Sequence, residues 1–222
     1  ELEPYVRAIE ALATLADDEI ELLNVGGGLG IAYTAEDEPP AIETYVDVKV
    51  NGVRRVFDRV PRILIEPGRS LVGNACVTLY TVGTIKEIPG VRTYVAVDGG
   101  MSDNLRPMLY GARYEAHVVD RFGGTTRCHV TGKHCESGDV IVRDALLDDP
   151  RVGDVIVTPA TGAYGHALAN NYNGVPRPPV VFAKDGDARV VVRRETYEDL
   201  LKDDFDLDEA AARGYHYSRL NQ

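Results

Sequence analysis

Five short segments of this 222-residue chain carry side chains suited to chemistry. Gly26-Gly27-Gly28-Leu29-Gly30 follows an apolar run, and glycines there let backbone N–H groups approach an anion closely. The loop is not the dinucleotide fingerprint, since Ile31 stands three positions after Gly28, and Gly132-Lys133 runs into His134, so there is no P-loop. On the glycines alone, a tight strand exit without a ligand is an equal reading. Glu66-Pro67-Gly68-Arg69 puts a carboxylate and a guanidinium at the end of a second apolar run. A surface turn with an ion pair is the plain alternative; in a β/α barrel both strand ends would face one active-site mouth. Cys135-Glu136-Ser137-Gly138-Asp139 lies beside His134, but adjacent strand residues point to opposite faces and no C-x-x-C or H-x-x-x-H partner exists, which argues against zinc. No G-x-S-x-G elbow is present, which removes the commonest serine-hydrolase signal. Residues 98–110, with Arg106 and Tyr110, and 162–174, with Tyr164, are polar loops that could each be structural Ω-loops.

Positioning these segments requires two kinds of element. Residues 4–16 form an amphipathic helical pattern with Leu2, Val6, Ile9, Leu12, Ala13 and Leu15 on one broad face, leading into a strand over 20–25. Residues 44–57 have two readings. Asn51-Gly52 is a hairpin signal, yet Ile42, Val46, Val50, Val53, Phe57 and Val60 recur near 3.6 residues. Two flanking apolar strands are most simply made parallel by a crossover helix, so a helix is predicted, at a cost of about 1 kcal/mol for Gly52 inside it. A second strand follows at 62–65. Beyond about Leu71 the period becomes alternating, with β-rich runs at 77–88, 94–97, 114–121, 126–133, 140–142, 155–158, 180–183 and 190–194. The expected fold class is therefore α/β over residues 1–71 plus an all-β sandwich or barrel over 72–222. The charged tail, 197–222, is expected to be helical around Leu200, Leu201, Phe205 and Leu207 and to fray near Gly214.

Composition narrows the function classes. The 24 Lys and Arg against 35 Asp and Glu leave a formal charge of −11, and no basic cluster offers a nucleic-acid footprint. No apolar run approaches the ~20 residues a membrane helix needs. The three cysteines, Cys76, Cys128 and Cys135, are odd in number and irregularly spaced, which fits a reducing cytoplasm rather than a disulfide framework. The helical pattern already running at Glu1, without an initiator Met, signal or transit sequence, leads us to expect further residues upstream.

The segments GGGLG, EPGRS, VDGGMSDNLRP, LYGARY, GKHCESGD, and TGAY with NYNG, in this order over residues 23–195, closely resemble the diaminopimelate decarboxylase family of fold-type III pyridoxal 5'-phosphate enzymes. The resemblance implies the last strands and helices of an alanine-racemase-like (β/α)8 barrel, then a C-terminal β domain. It implies that Gly27, Gly28, Gly68 and Arg69 lie around the cofactor phosphate, that Glu66 pairs with the pyridine nitrogen, and that Tyr164 contacts the cofactor. Arg69, Arg106, Tyr110, Glu136 and Tyr164 match substrate-binding positions, and Cys135 the thiol that returns a proton to Cα. An ordinary thiol is mostly protonated at neutral pH and can serve as that acid. Cys76 and Cys128 are expected to be structural. In the family, Cys135 and Glu136 reach into the partner subunit's pocket, so the resemblance implies a homodimer with shared active sites. The implied reaction is decarboxylation of meso-diaminopimelate to L-lysine, the last step of lysine biosynthesis. The family's cofactor-bearing lysine and ring-stacking histidine match none of Lys49, Lys86, Lys133, Lys184 or Lys202, so the 222 residues alone are expected to be inactive. Arginine, ornithine or carboxynorspermidine decarboxylases share the CESGD word and remain an alternative, as does a non-catalytic β-domain dimerisation module.

Overall fold

The computed structural model describes residues 2–16 and 19–214. Helix α1 (Glu3–Ala13), strand β1 (Leu22–Gly27), helix α2 (Ile42–Val56) and strand β2 (Arg62–Glu66) form one unit whose strands pair in parallel. The parallel pair requires a crossover, and α2 supplies it; Asn51-Gly52 lies inside this helix and forms no hairpin turn. α2 buries Tyr45, Lys49, Gly52 and Val53, a single stripe along its length. Gly52 has a packing reason: a Cβ there would lie 3.0 Å from Ile9 Cδ1, so α1 rests directly on the glycine. Ile9, Leu23, Val25, Val53 and Phe57 close the small core beneath.

A short helix, α3 (Gly68–Val72), and a 3-10 turn lead into the β region. Strands β3 (Thr78–Ile88), β4 (Arg92–Val97), β5 (His117–Val118), β6 (Thr126–Thr131), β7 (Val140–Leu147) and β8 (Val155–Thr158) make one sheet in the order β5-β8-β3-β4-β6-β7. All its neighbours are antiparallel except β4 and β6. Two bulges curl it. Val82 pairs with Val97 but Thr84 pairs with Ala96, leaving an extra residue at Gly83. Cys128 pairs with Ala145 but Val130 with Val142, leaving an extra residue in β7, where Asp144 takes φ 54°. Such bulges strengthen local twist. The edge strands β5 and β7 come into contact without a hydrogen-bonded ladder, so the sheet is a nearly closed barrel filled by Tyr80, Val82, Val95, Val130, Leu147 and Ile156.

A hairpin, β9 (Val180–Lys184) with β10 (Asp187–Val192), and two short helices, Tyr197–Leu200 and Leu207–Ala212, follow. Thr196 and Asp199 form a reciprocal capping box at the first of these helices. The last part of the expected helical tail, 215–222, lies outside the described residues.

The structure corrects several element boundaries: β6 ends at Thr131 rather than 133, β10 runs from Asp187 to Val192 rather than 190–194, and the tail is not helical at Leu201 and Phe205. The expected strand 114–121 shrinks to His117–Val118, because side chains draw its first half away from the sheet. Glu115 Oε1 accepts from Ala35 N at 2.6 Å, Arg113 pairs with Glu36 at 2.8 Å, and the Tyr114 ring meets Tyr33 edge-on. The run 140–142 extends to Leu147, since the bulge at Asp144 resets the alternation on which the reading depends. The first helix ends at Ala13 rather than 16.

Ile156 is completely buried at the barrel centre. Ile156→Ala should lower the unfolding free energy by about 2–5 kcal/mol, seen as a reduced urea midpoint at unchanged slope. A loss below about 0.5 kcal/mol would show that the barrel interior is not a packed core.

Candidate active site

Because β1 and β2 are parallel, their C-terminal ends emerge side by side. Gly27 pairs with Glu66 so closely that a Cβ at Gly27 would lie 2.0 Å from the Glu66 carbonyl oxygen. Gly26 and Gly28 have φ of +68° and +101°, which only glycine adopts without strain. One asparagine ties the two ends together: Asn24 Nδ2 donates to Glu66 Oε1 at 2.6 Å and its Oδ1 accepts from Gly26 N at 2.8 Å. The amides of Leu29 and Gly30 have no backbone acceptor among the described residues. A loop of free amides beside a carboxylate held at one oxygen fits a phosphate-bearing cofactor with a basic ring nitrogen.

Beyond β8, Thr161 N donates to Cys76 O at 3.1 Å and Gly162 N to Gly73 O at 3.0 Å, docking this loop on the turn after α3. Tyr164 then stands at φ 65° as the residue before helix Gly165–Leu168. Its ring lies 5.6 Å from the Arg69 guanidinium carbon and 6.0 Å from that of Arg106. Arg106 opens the short helix Arg106–Tyr110, is 8% exposed, and donates to Tyr114 Oη at 2.6 Å. Tyr33 faces both arginines, with its ring 4.7 Å from Arg106 and 6.0 Å from Arg69. Burial pushes the Tyr114 phenol up, with Arg106 pulling the other way, so Tyr114 is a neutral partner. Among the described residues neither arginine pairs with a carboxylate. Two guanidiniums against tyrosine rings make a receptor for carboxylate groups.

Cys135 and Glu136 are exposed on the β6–β7 loop. Asp139 fixes that loop from within: its Oδ2 accepts from His134 N at 3.0 Å and meets His134 Nδ1 at 2.8 Å, while Oδ1 accepts from Met101 N at 2.8 Å. A Cβ at Gly132 would lie 2.0 Å from the same carboxylate, and one at Gly100 2.5 Å from it. The His134 ring stacks on Tyr172, and Asn170 N donates to Ser102 O at 3.0 Å. The loops at 98–104, 132–139 and 170–174 thus converge on one buried carboxylate.

The structure gathers Gly27, Gly28 and Glu66 at one strand mouth, and Arg69, Arg106 and Tyr164 around Tyr33. Gly68 begins α3 between them. Tyr110 is exposed and joins neither group, and no hydrogen bond, ion pair or ring contact among the described residues links Cys135 or Glu136 to the arginines. Cys128 is buried as expected of a structural thiol, whereas Cys76 is exposed at the entry to β3. Sequence reasoning missed Asn24, Tyr33, Tyr114 and Asp139. Tyr114 closes the LYGARY segment and Asp139 the CESGD segment, so both stood in words already singled out. A cavity of about 890 Å³ opens between residues 34–36, 111–117 and β7; Tyr114 lines it as well, and its Arg113 is already paired with Glu36.

Residues 14–162 match the family model described as pyridoxal-dependent decarboxylase, C-terminal sheet domain. The chain is 54% identical over 189 residues to diaminopimelate decarboxylase of Bacillus subtilis (strain 168), covering 82% of this chain and 43% of that protein. It is 49% identical over 188 residues to the enzyme of the same name from Synechocystis sp., covering 82% and 40%. A crystal structure of diaminopimelate decarboxylase from M. jannaschii in complex with L-lysine superposes with a TM-score of 0.84 at 34% identity, covering 93% of this chain and 49% of that one. The chain spans about half the length of the relatives it matches.

The three thiols differ in a way that alkylation reads directly. Burial pushes Cys128 up to about 11, while Cys76 and Cys135 are exposed. Iodoacetamide at pH 8 should label Cys76 and Cys135 and spare Cys128 until the protein unfolds; equal labelling of all three would contradict this packing. Glu195 is held down to about 2, chiefly by the Arg177 side chain, with Asn171 donating to it as well. Since its folded value is depressed from the ordinary 4.5, its stabilising contribution is full above that pH and lost as pH falls towards 2. Amide protection at Arg177 and Glu195, which bond each other, should fall across that window and stay constant between pH 5 and 7.

Proposed function

Because the chain belongs to the pyridoxal-dependent decarboxylases, whose C-terminal sheet domain it matches, we propose that it supplies part of the active site of a diaminopimelate decarboxylase acting in lysine biosynthesis. The observation that carries this reading is the pair Arg69 and Arg106, brought together on Tyr33 and Tyr164 with no carboxylate paired to either among the described residues. A substrate with an α-amino-carboxylate at each end gives such a pair a carboxylate to hold. A monoamine or ornithine leaves Arg106 desolvated and unpaired, which costs binding.

In this reading residues 1–71 are the closing part of a (β/α)8 barrel and 72–222 the β domain. Pyridoxal 5'-phosphate, when bound, provides a ring that takes up the electron pair left on Cα as carbon dioxide departs. Gly27 and Gly28 offer backbone to its phosphate, with Gly68 and Arg69 alongside. Glu66, oriented by Asn24, keeps the pyridine nitrogen protonated. Tyr164 packs against the cofactor, and Arg106 with Tyr110 and Glu136 holds the distal end of the substrate. Cys135 delivers the proton to Cα. Among the described residues no hydrogen bond, ion pair or ring contact joins Cys135 or Glu136 to the arginines of the same chain, which favours a homodimer in which they complete the partner's pocket. Three free cysteines suit a cytoplasmic setting. Among the described residues no helix is long and apolar enough to cross a membrane.

The test compares turnover of meso-diaminopimelate, ornithine and lysine by a protein carrying this chain. Diaminopimelate should be strongly preferred, and Arg106→Ala should lower its kcat/KM by about 100-fold, the loss of one charge-assisted contact, while cofactor absorbance is unchanged. Cys135→Ala should lower kcat with absorbance intact. Preference for ornithine would replace the proposal by the related decarboxylase, and loss of absorbance in Cys135→Ala would remove the proton-donor role.

A further inference from the structure

The glycine-rich loop is braced from behind by a buried lysine that has no role in the reading above. Lys49, on α2, is 1% exposed, and its Nζ donates to Val25 O at 2.5 Å and to Gly26 O at 3.3 Å. The ammonium lies 4.8 Å from the centre of the Tyr5 ring and 4.9 Å from that of Tyr45. Tyr45 Oη donates to Gly26 O at 3.4 Å and Tyr5 Oη to Gly28 O at 2.7 Å. Three side chains from two helices therefore hold the carbonyls on one side of the loop. In a trans peptide the N–H of the next residue points the opposite way, which turns the amides of Gly27 and Leu29 outward.

Packing does not require a charge at this position. A buried ammonium is disfavoured unless it is paired, yet only carbonyl oxygens and ring faces receive Lys49, and burial draws its pKa down. Methionine would span the same slot without that penalty, but it would leave the Val25 and Gly26 carbonyls without these hydrogen bonds. It also lacks a positive charge directly beneath a loop whose Leu29 amide has no backbone acceptor among the described residues.

We infer that Lys49 is a positioning residue for the anion at this loop: it ties the Val25 and Gly26 carbonyls inward and adds a fixed positive charge behind the outward amides. This rests on the loop being the phosphate site proposed above. Lys49 is then a source of the loop's preference for a phosphorylated ligand over its unphosphorylated form, with Tyr5 and Tyr45 keeping the ammonium in place.

The test titrates a protein carrying this chain with pyridoxal 5'-phosphate and, separately, with pyridoxal, which lacks the phosphate; binding is read from ligand absorbance rather than from turnover. Lys49→Met should weaken the phosphorylated ligand by about tenfold or more and leave pyridoxal within about twofold. Equal weakening of both ligands, which a merely structural role would give, overturns the inference, as does no weakening of either. Gly30→Asp serves as the control on the underlying reading. Its Cβ would meet nothing nearer than Pro39 at 4.0 Å, and the added carboxylate should repel the phosphate whatever occupies position 49. If Gly30→Asp leaves the phosphorylated ligand unaffected, the phosphate site itself is wrong and the inference falls with it. If Gly30→Asp weakens binding but Lys49→Met does not, only the role of Lys49 is refuted. Should Lys49→Met fail to fold, Lys49→Gln keeps a donor towards the carbonyls but removes the charge and must show a phosphate-specific loss above about twofold; none would overturn the inference.

Discussion

Gly162 lies so close to Val72 that a Cβ on it would come 1.9 Å from the Val72 carbonyl oxygen. This backbone-to-backbone approach joins the β/α unit to the barrel, and the geometry of the arginine cluster depends on it. Thr161 and Gly162 donate to Cys76 and Gly73, so the exit of β8 is laid along the turn that leaves α3. Arg69 is on one side of that seam and Tyr164 on the other. A larger residue at 162 would push the seam open and separate them, although it would touch neither side chain. The left-handed backbone at Tyr164 has the same origin, because the chain must reverse immediately after docking.

Electrostatics at the mouth run against the charge of the whole molecule. The sequence carries a formal charge of −11, yet Arg69, Arg106 and Lys49 collect around two strand ends with no carboxylate paired to them among the described residues. Exposed pairs elsewhere, such as Glu36 with Arg113 and Asp149 with Arg151, are each neutral together and contribute little to stability. Glu66 is the carboxylate at the mouth, and Asn24 occupies one of its oxygens. Cations without carboxylate partners are costly to bury and gain their compensation from an anionic ligand.

Much of this arrangement is readable in the sequence where chemistry is local. Consecutive glycines after an apolar strand, and Glu66 at the end of the next, locate the mouth because parallel strands must end on the same side. The helical period of 42–60 outweighs the Asn51-Gly52 turn signal because a parallel pair needs a crossover. What could not be read depends on contacts between distant segments. Tyr33 and Tyr114 look like ordinary aromatics until the barrel carries one against the other, and Lys49 looks like a solvated lysine on a helix until α1 covers it. The strand expected at 114–121 fails for the same reason, since Glu115 and Arg113 are engaged by residues 35 and 36. Tyr110 illustrates the opposite limit: a motif supplies its position, but within one chain its side chain meets nothing in the cluster.

Asp139 explains why separate sequence words behave as one unit. Its two oxygens engage Met101 and His134, and the backbone of Gly132 and Gly100 approaches too closely for any side chain. Replacing either glycine would displace the carboxylate, which would release the His134 ring from its position over Tyr172. Cys135 and Glu136 follow His134 directly, so their direction is fixed by a buried hydrogen-bond centre. They are exposed on a braced loop, and no hydrogen bond, ion pair or ring contact among the described residues joins them to Arg69 or Arg106. What they can reach is therefore determined by how the loop is held.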